Sequence, residues 1–151
     1  MIVSLLRGKE YGYEVKITTK GRYAIHILYD LAVNGAEHPV SVKEIATRQD
    51  ISVKYTEQIM AILNKAGYVS STRGFQGGYR LTKPLGEYVI GDVLRLTEGS
   101  LAPVECLSTG HVNCPKQGQC ATIILWEKVD QAIRDVVDNV TLADLVAWQQ
   151  P

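Results

Sequence analysis

Several absences narrow the function before any motif is read. No apolar run approaches the roughly 18 residues of a membrane span, so nothing in the chain reads as a transmembrane helix. The opening MIVSLLRGKEYGYEV holds five apolar residues before Arg7 and no cleavage pattern, too little for a secretory leader. The cytosol, where thiols stay reduced, is the expected compartment. No nucleophile stands beside a general base at motif spacing, and no glycine-rich loop leads from a strand into a helix. Catalysis and nucleotide binding therefore have no visible seat. Cysteine is absent except in one stretch, CLSTGHVNCPKQGQC, which holds Cys106, Cys114 and Cys120. An odd count argues against a closed disulfide framework and leaves thiols that are free or serve as ligands.

Net charge is missing too, but its zero conceals a division. Residues 1–84 carry 12 Lys and Arg against 7 Asp and Glu, a net of +5. Residues 85–151 carry 4 against 9, a net of −5. A basic half beside an acidic half is what a chain shows when it meets nucleic acid with its first half alone. Chance segregation of solvated charge is the plain alternative.

What is present reads as helices and one hairpin. Thr18 or Thr19 can cap a first helix on which Ala24, Leu28, Leu31 and Ala32 recur at helical spacing, with Gly35 at its end. Ser41 and Glu44 form a capping box for a short helix that turns Ile45 and Ala46 inward and ends by Asp50. Three residues later Ser52 can cap another helix, striped by Tyr55, Ile59, Ile62 and Leu63 and ended by Gly67. YVSST and GYRLT then flank RGFQG, where Gly74, Gly77 and Gly78 permit the positive φ angles of a hairpin tip. This order is that of a winged helix-turn-helix. VIGDVLRLTEG reads as a further short helix. A long helix from about Ala121 to Asp138 carries Leu125, Val129, Ile133, Val136 and Val140, a stripe suited to a second copy of the chain or to burial within one. Thr141 and Asp144 form another capping box. The expected fold is mainly α with a small β-wing, a winged helix-turn-helix plus a long dimerisation helix. Its divisions are an extension at 1–15, the DNA-binding domain at 16–84, a connecting helix and cysteine loop at 85–120, and the dimerisation and C-terminal helices at 121–151.

A helix-turn-helix sends the first turn of its second helix into the major groove. There Lys54, Thr56, Glu57 and Gln58 fall on or near the exposed side. Glu57 can accept from cytosine N4 and Gln58 can pair with adenine. Arg73 at the hairpin tip suits the narrow minor groove, and Lys20, Arg22, Lys43 and Arg80 suit phosphate. Each taken singly is also an ordinary solvated residue.

KITTKGRYAIHILYDLA, ISVKYTEQIMAILNKAGYVSSTRGFQGGYRL and NVTLADLVAW together resemble the Rrf2 family of bacterial transcription regulators, from about Lys16 to Trp148. The likeness lies nearest to the iron–sulfur cluster regulators of the IscR type, and GSLAPVE at the start of the cysteine loop resembles the cysteine-metabolism regulators of the CymR type. The resemblance implies a homodimeric regulator, a repressor, that binds a palindromic double-stranded operator and needs no membrane or small-molecule substrate. It places Ser52, Tyr55, Glu57 and Gln58 at groove-reading positions and Arg73 at the wing arginine. It implies an iron–sulfur cluster on Cys106, Cys114 and Cys120, [2Fe-2S] or [4Fe-4S], and control of cluster-biogenesis genes. Zinc held with His111, a thiol switch over sulfur metabolism, and nitric-oxide sensing are the other uses of such a loop. The fourth ligand does not carry over. The histidine of IscR-like members falls at Ile123, and the aspartate of the nitric-oxide sensors falls at Arg22. His111, Glu105, His26 of a second subunit or an exogenous ligand remain open for that place, while His38 before Pro39 reads as a structural turn residue.

Overall fold

The computed structural model describes residues 17–108, 114, 116 and 118–150. The extension at 1–15 and the candidate ligand His111 lie outside the described residues. The elements are α1 (Thr19–Asn34), α2 (Val42–Gln49), α3 (Val53–Lys65), β1 (Val69–Thr72), β2 (Gly78–Leu81), α4 (Ile90–Glu98), α5 (Ile123–Val137) and α6 (Leu142–Trp148), with 3-10 turns at Leu85–Glu87 and Glu105–Leu107. Helix, short helix, tight turn, helix and hairpin follow as the sequence predicts.

Local side-chain chemistry fixes where these helices begin. The Thr18 hydroxyl accepts from the Gly21 N–H at 3.5 Å at the head of α1. At α2 the Ser41 hydroxyl accepts from the Glu44 N–H at 3.2 Å and the Glu44 carboxylate accepts from the Ser41 N–H at 2.8 Å. Asp50 then takes a left-handed conformation, φ 52°, which asparagine and aspartate tolerate better than most residues. That single residue stops α2 and turns the chain into Ser52, whose hydroxyl accepts from the Tyr55 N–H at 3.1 Å to start α3. Thr141 and Asp144 close the second capping box on α6.

One core joins all of this. Ile27, Leu28 and Leu31 of α1, Ile45 of α2, and Ile59, Met60 and Leu63 of α3 are buried together with Val69, Tyr88, Val93 and Leu142. At about 1.5–3 kcal/mol for each fully buried large apolar side chain, the three from α3 anchor that helix firmly while its other face stays in water. The inner face of α3 differs from the expected stripe. Met60 and Thr56 are fully buried, whereas Tyr55 and Ile62 are only partly so.

β1 and β2 pair antiparallel, Val69 opposite Leu81 and Thr72 opposite Gly78. A third segment joins them, because Val40 and Tyr79 exchange backbone hydrogen bonds of 3.0 and 2.8 Å. Only Gly74 of the three tip glycines has a positive φ, 114°. Gly77 and Gly78 are needed for space instead. A Cβ on Gly78 would lie 2.6 Å from the Val40 backbone, and one on Gly77 would strike the Thr72 carbonyl oxygen.

The long helix is shorter than expected, starting at Ile123 rather than Ala121 and ending at Val137. Val140 lies beyond it, where its carbonyl accepts from the Ile90 N–H at 2.9 Å. No residue of α5 is buried by its own chain.

Candidate nucleic-acid interface and thiol loop

Burying Thr56, Ile59, Met60 and Leu63 leaves the opposite side of α3 to solvent. Ser52, Lys54, Glu57 and Gln58 are exposed there, and Tyr55 is half-buried, its ring edge-on to Tyr23 at 6.0 Å between centroids. Thr56 does not join them. Its hydroxyl donates back to the Ser52 carbonyl at 3.0 Å, which satisfies it inside the fold. Lys20, Arg22 and Lys43 are exposed on α1 and α2. Arg80 is partly committed elsewhere, since its guanidinium donates to the Glu37 carbonyl at 2.9 Å, so it is a poorer phosphate ligand than its sequence position implies.

The sequence gives little hint of what holds α2 against α1. Asp30, 2% exposed, accepts two bonds from the Arg48 guanidinium, Nε to Oδ2 at 2.8 Å and Nη2 to Oδ1 at 2.6 Å, and a third from Gln49 at 3.1 Å. The carboxylate beside it holds the Arg48 pKa above its usual value. A bidentate guanidinium–carboxylate pair fixes orientation as well as distance. It thus sets the angle at which α2 leads into α3. The available signal was a charge on an apolar face. Asp30 follows Ile27 by three residues on the buried side of α1, and a carboxylate placed there requires a partner.

The wing is braced from below by Tyr88, which is fully buried. Its hydroxyl accepts from the N–H groups of Thr82 at 2.8 Å and Lys83 at 3.1 Å and donates to the Tyr68 carbonyl at 2.7 Å. The Lys83 ammonium lies 4.8 Å from the Tyr68 ring centroid. Arg73 stands exposed at the tip.

The cysteines lie between α4 and α5. Cys106 is in the 3-10 turn Glu105–Leu107, and Cys120 comes three residues before the first residue of α5. All three thiols are outside any disulfide and half-buried. The Thr122 hydroxyl lies 3.5 Å from the Cys120 sulfur. That hydrogen bond, the Thr122 and Ile123 backbone N–H groups and the Lys116 charge hold the Cys120 thiol below its usual pKa, favouring the thiolate that metals and clusters bind. In kind, three such thiols fit the donor set of an iron–sulfur cluster. Among the described residues, however, no three His, Cys, Asp or Glu side chains are gathered as a metal site. Of the other candidate ligands, Glu105 and His26 are exposed and Ile123 offers no donor.

Behind the loop lies a cleft of about 340 Å³, lined among others by Leu107 and Ser108, Arg95 of α4, and Asp130 and Arg134 of α5. Arg95 bonds Asp138, just past α5, at 2.8 Å, and Arg134 bonds Asp130 at 2.6 Å. At its far end α4 reaches α1, where the Glu98 carboxylate accepts from the Thr18 N–H at 3.1 Å and hydroxyl at 2.8 Å. The loop is therefore linked to α1 through α5 and α4. These pairs span 43 and 80 residues of sequence, and no local pattern announces them.

No helix among the described residues is long and apolar enough to cross a membrane. Residues 17–148 match the family model described as Rrf2, iron-dependent transcriptional regulator. The chain is 42% identical over 132 residues to the Rrf2 protein of Nitratidesulfovibrio vulgaris, covering 87% of each. It is similar in structure to CymR, the global cysteine regulator of B. subtilis, with TM-score 0.73, 37% identity, and coverage of 89% of this chain and 98% of that one. It is similar as well to IscR of T. potens, with TM-score 0.71, 38% identity, and coverage of 89% and 88%. These relatives are regulators, not enzymes, and the two of known structure share the fold seen here. The chain belongs to the Rrf2 family of transcription regulators.

Proposed function

We propose that the protein is a homodimeric repressor whose affinity for a palindromic operator depends on an iron–sulfur cluster held by Cys106, Cys114 and Cys120. The observation that carries this reading is the confinement of every cysteine to one loop running into α5, in a chain of a family described as iron-dependent. The cluster, [2Fe-2S] in the first instance, supplies a state that responds to iron, oxidants and cluster supply. The fitting targets are the genes that build such clusters.

The chain's own residues do the rest. Cys120 enters ligation with its thiolate already favoured by Thr122. On α5, Leu125 is 52% and Val136 63% exposed, an apolar face that its own chain leaves in water and that a second copy would cover. Two-fold symmetry then sets two α3 helices into major grooves about 34 Å apart. Lys54, Glu57 and Gln58 read base edges, Ser52 and Tyr55 support them, Lys20 meets phosphate, and Arg73 enters the minor groove. Movement at the loop reaches this spacing through Arg95–Asp138 and Glu98–Thr18.

The test is protein purified without oxygen, with its absorption spectrum recorded and iron and acid-labile sulfide counted per subunit. Iron and sulfide in equal amounts, lost together with visible absorption in Cys106→Ala, Cys114→Ala and Cys120→Ala, is the expected result. Full iron in all three variants refutes cluster binding by this loop. A second reading, a cluster-free thiol switch governing sulfur metabolism, is favoured by the likeness to CymR, the global cysteine regulator. It expects no iron and an affinity that changes with thiol oxidation.

A further inference from the structure

Phe75 is the chain's single phenylalanine, and it stands fully exposed at the tip of the wing. Apolar rings generally leave water when a fold gives them cover, and here the local geometry keeps this one out. Gly74 turns the chain with φ 114°, and the Gly77 N–H bonds the Gly74 carbonyl at 3.0 Å, closing the tip over Phe75 and Gln76. Below it β2 is held on both edges, by β1 and by Val40. Phe75 itself lines an open cleft of about 440 Å³ with His38, Pro39, Ser41 and Glu44, yet its ring remains in solvent. Arg73, two residues away, is exposed too. The braced tip therefore exposes a cation and an apolar ring within two residues of each other.

The minor groove of duplex DNA suits both parts. Its negative potential attracts the guanidinium, and its base steps admit apolar side chains that partly unstack them. We propose that Phe75 is an apolar wedge, pressed into the minor groove beside Arg73, which makes the wing select flexible pyrimidine–purine steps. This rests on the DNA-binding reading of the surface. The ring contributes through desolvation and unstacking, Arg73 through charge, so the two separate by salt. Neutralising a phosphate contact lowers the slope of log affinity against log salt by about one. Losing an apolar contact leaves that slope unchanged.

The experiment first selects duplexes from a random pool with the unmodified protein. The base under the wing is then replaced by 2-aminopurine, whose emission rises on unstacking, and affinity is measured over a series of salt concentrations. Phe75→Ala is expected to bind about tenfold more weakly, the value of burying roughly half of such a ring, with an unchanged salt slope and no rise in emission. Phe75→Leu keeps most of both, and Arg73→Ala lowers the slope. If Phe75→Ala binds as tightly as the parent, or loses affinity with a shallower slope, the wedge is overturned while DNA binding stands. If the unmodified protein enriches no duplex, the DNA-binding reading fails and takes the wedge with it.

Discussion

Replacing Arg48 with methionine tests whether the α2–α1 junction is set by charge. The substitution keeps much of the side-chain volume and removes both short bonds to Asp30, leaving a carboxylate that is 2% exposed with Gln49 as its partner at 3.1 Å. Breaking a buried pair from one side costs about 3–5 kcal/mol. Arg48 is 36% exposed, and solvent reaching the pair lowers that to about 2–3 kcal/mol. With a urea m-value of about 2 kcal/mol/M, the unfolding midpoint falls by about 1–1.5 M at fixed protein concentration, which must be held constant if subunits associate. Adding Asp30→Asn to Arg48→Met removes the stranded charge and restores most of the loss. A midpoint shift below about 0.25 M for Arg48→Met alone, equivalent to about 0.5 kcal/mol at that m-value, refutes the reasoning.

Three further outcomes follow from single residues. Tyr88→Phe removes an oxygen that serves three backbone groups; a loss of about 1–3 kcal/mol, with faster hydrogen exchange at the Thr82 and Lys83 amides, is expected by urea titration and NMR. Glu44 is held below the ordinary carboxylate pKa of 4.5, first by its hydrogen bonds with Ser41; because its folded pKa is depressed, the stabilisation is present above about that pH and lost as pH falls through the folded value. The stability deficit of Glu44→Gln should therefore shrink on acidification, and a deficit constant across that window contradicts the capping role. Glu57→Ala should flatten the ranking of single-base operator variants, because a carboxylate accepting from cytosine N4 discriminates by about 1–3 kcal/mol; an identical ranking in both proteins shows that Glu57 reads nothing.

Features built from neighbours in sequence were legible in advance. Ser41 with Glu44, Thr141 with Asp144 and the cap at Ser52 each lie within one helical turn, so residue identity alone sets the geometry. The winged helix-turn-helix followed from their order. The glycines of RGFQGGY marked the right turn for a partly wrong reason, since Gly77 and Gly78 answer to crowding by Thr72 and Val40 rather than to φ. Thr56 was misplaced because a threonine can satisfy its hydroxyl on the preceding turn and then pass as apolar. Contacts between distant segments could not be read: Asp30 with Arg48, Tyr88 with Tyr68, and Arg95 with Asp138 depend on how helices cross. The exposed residues of α3 and the position of the three cysteines between α4 and α5 follow from local pattern, but how the thiols lie relative to one another depends on the loop's path, which residue spacing does not determine.

The most direct measurement compares the affinity of one anaerobic preparation for its selected duplex before and after its iron is removed by a chelator, at a single salt concentration. A change of at least about fivefold, the lower end of ordinary coupling between two sites, absent in Cys106→Ala, Cys114→Ala and Cys120→Ala, is the result expected of a cluster-dependent regulator. Equal affinity for the iron-loaded and iron-free forms would contradict it.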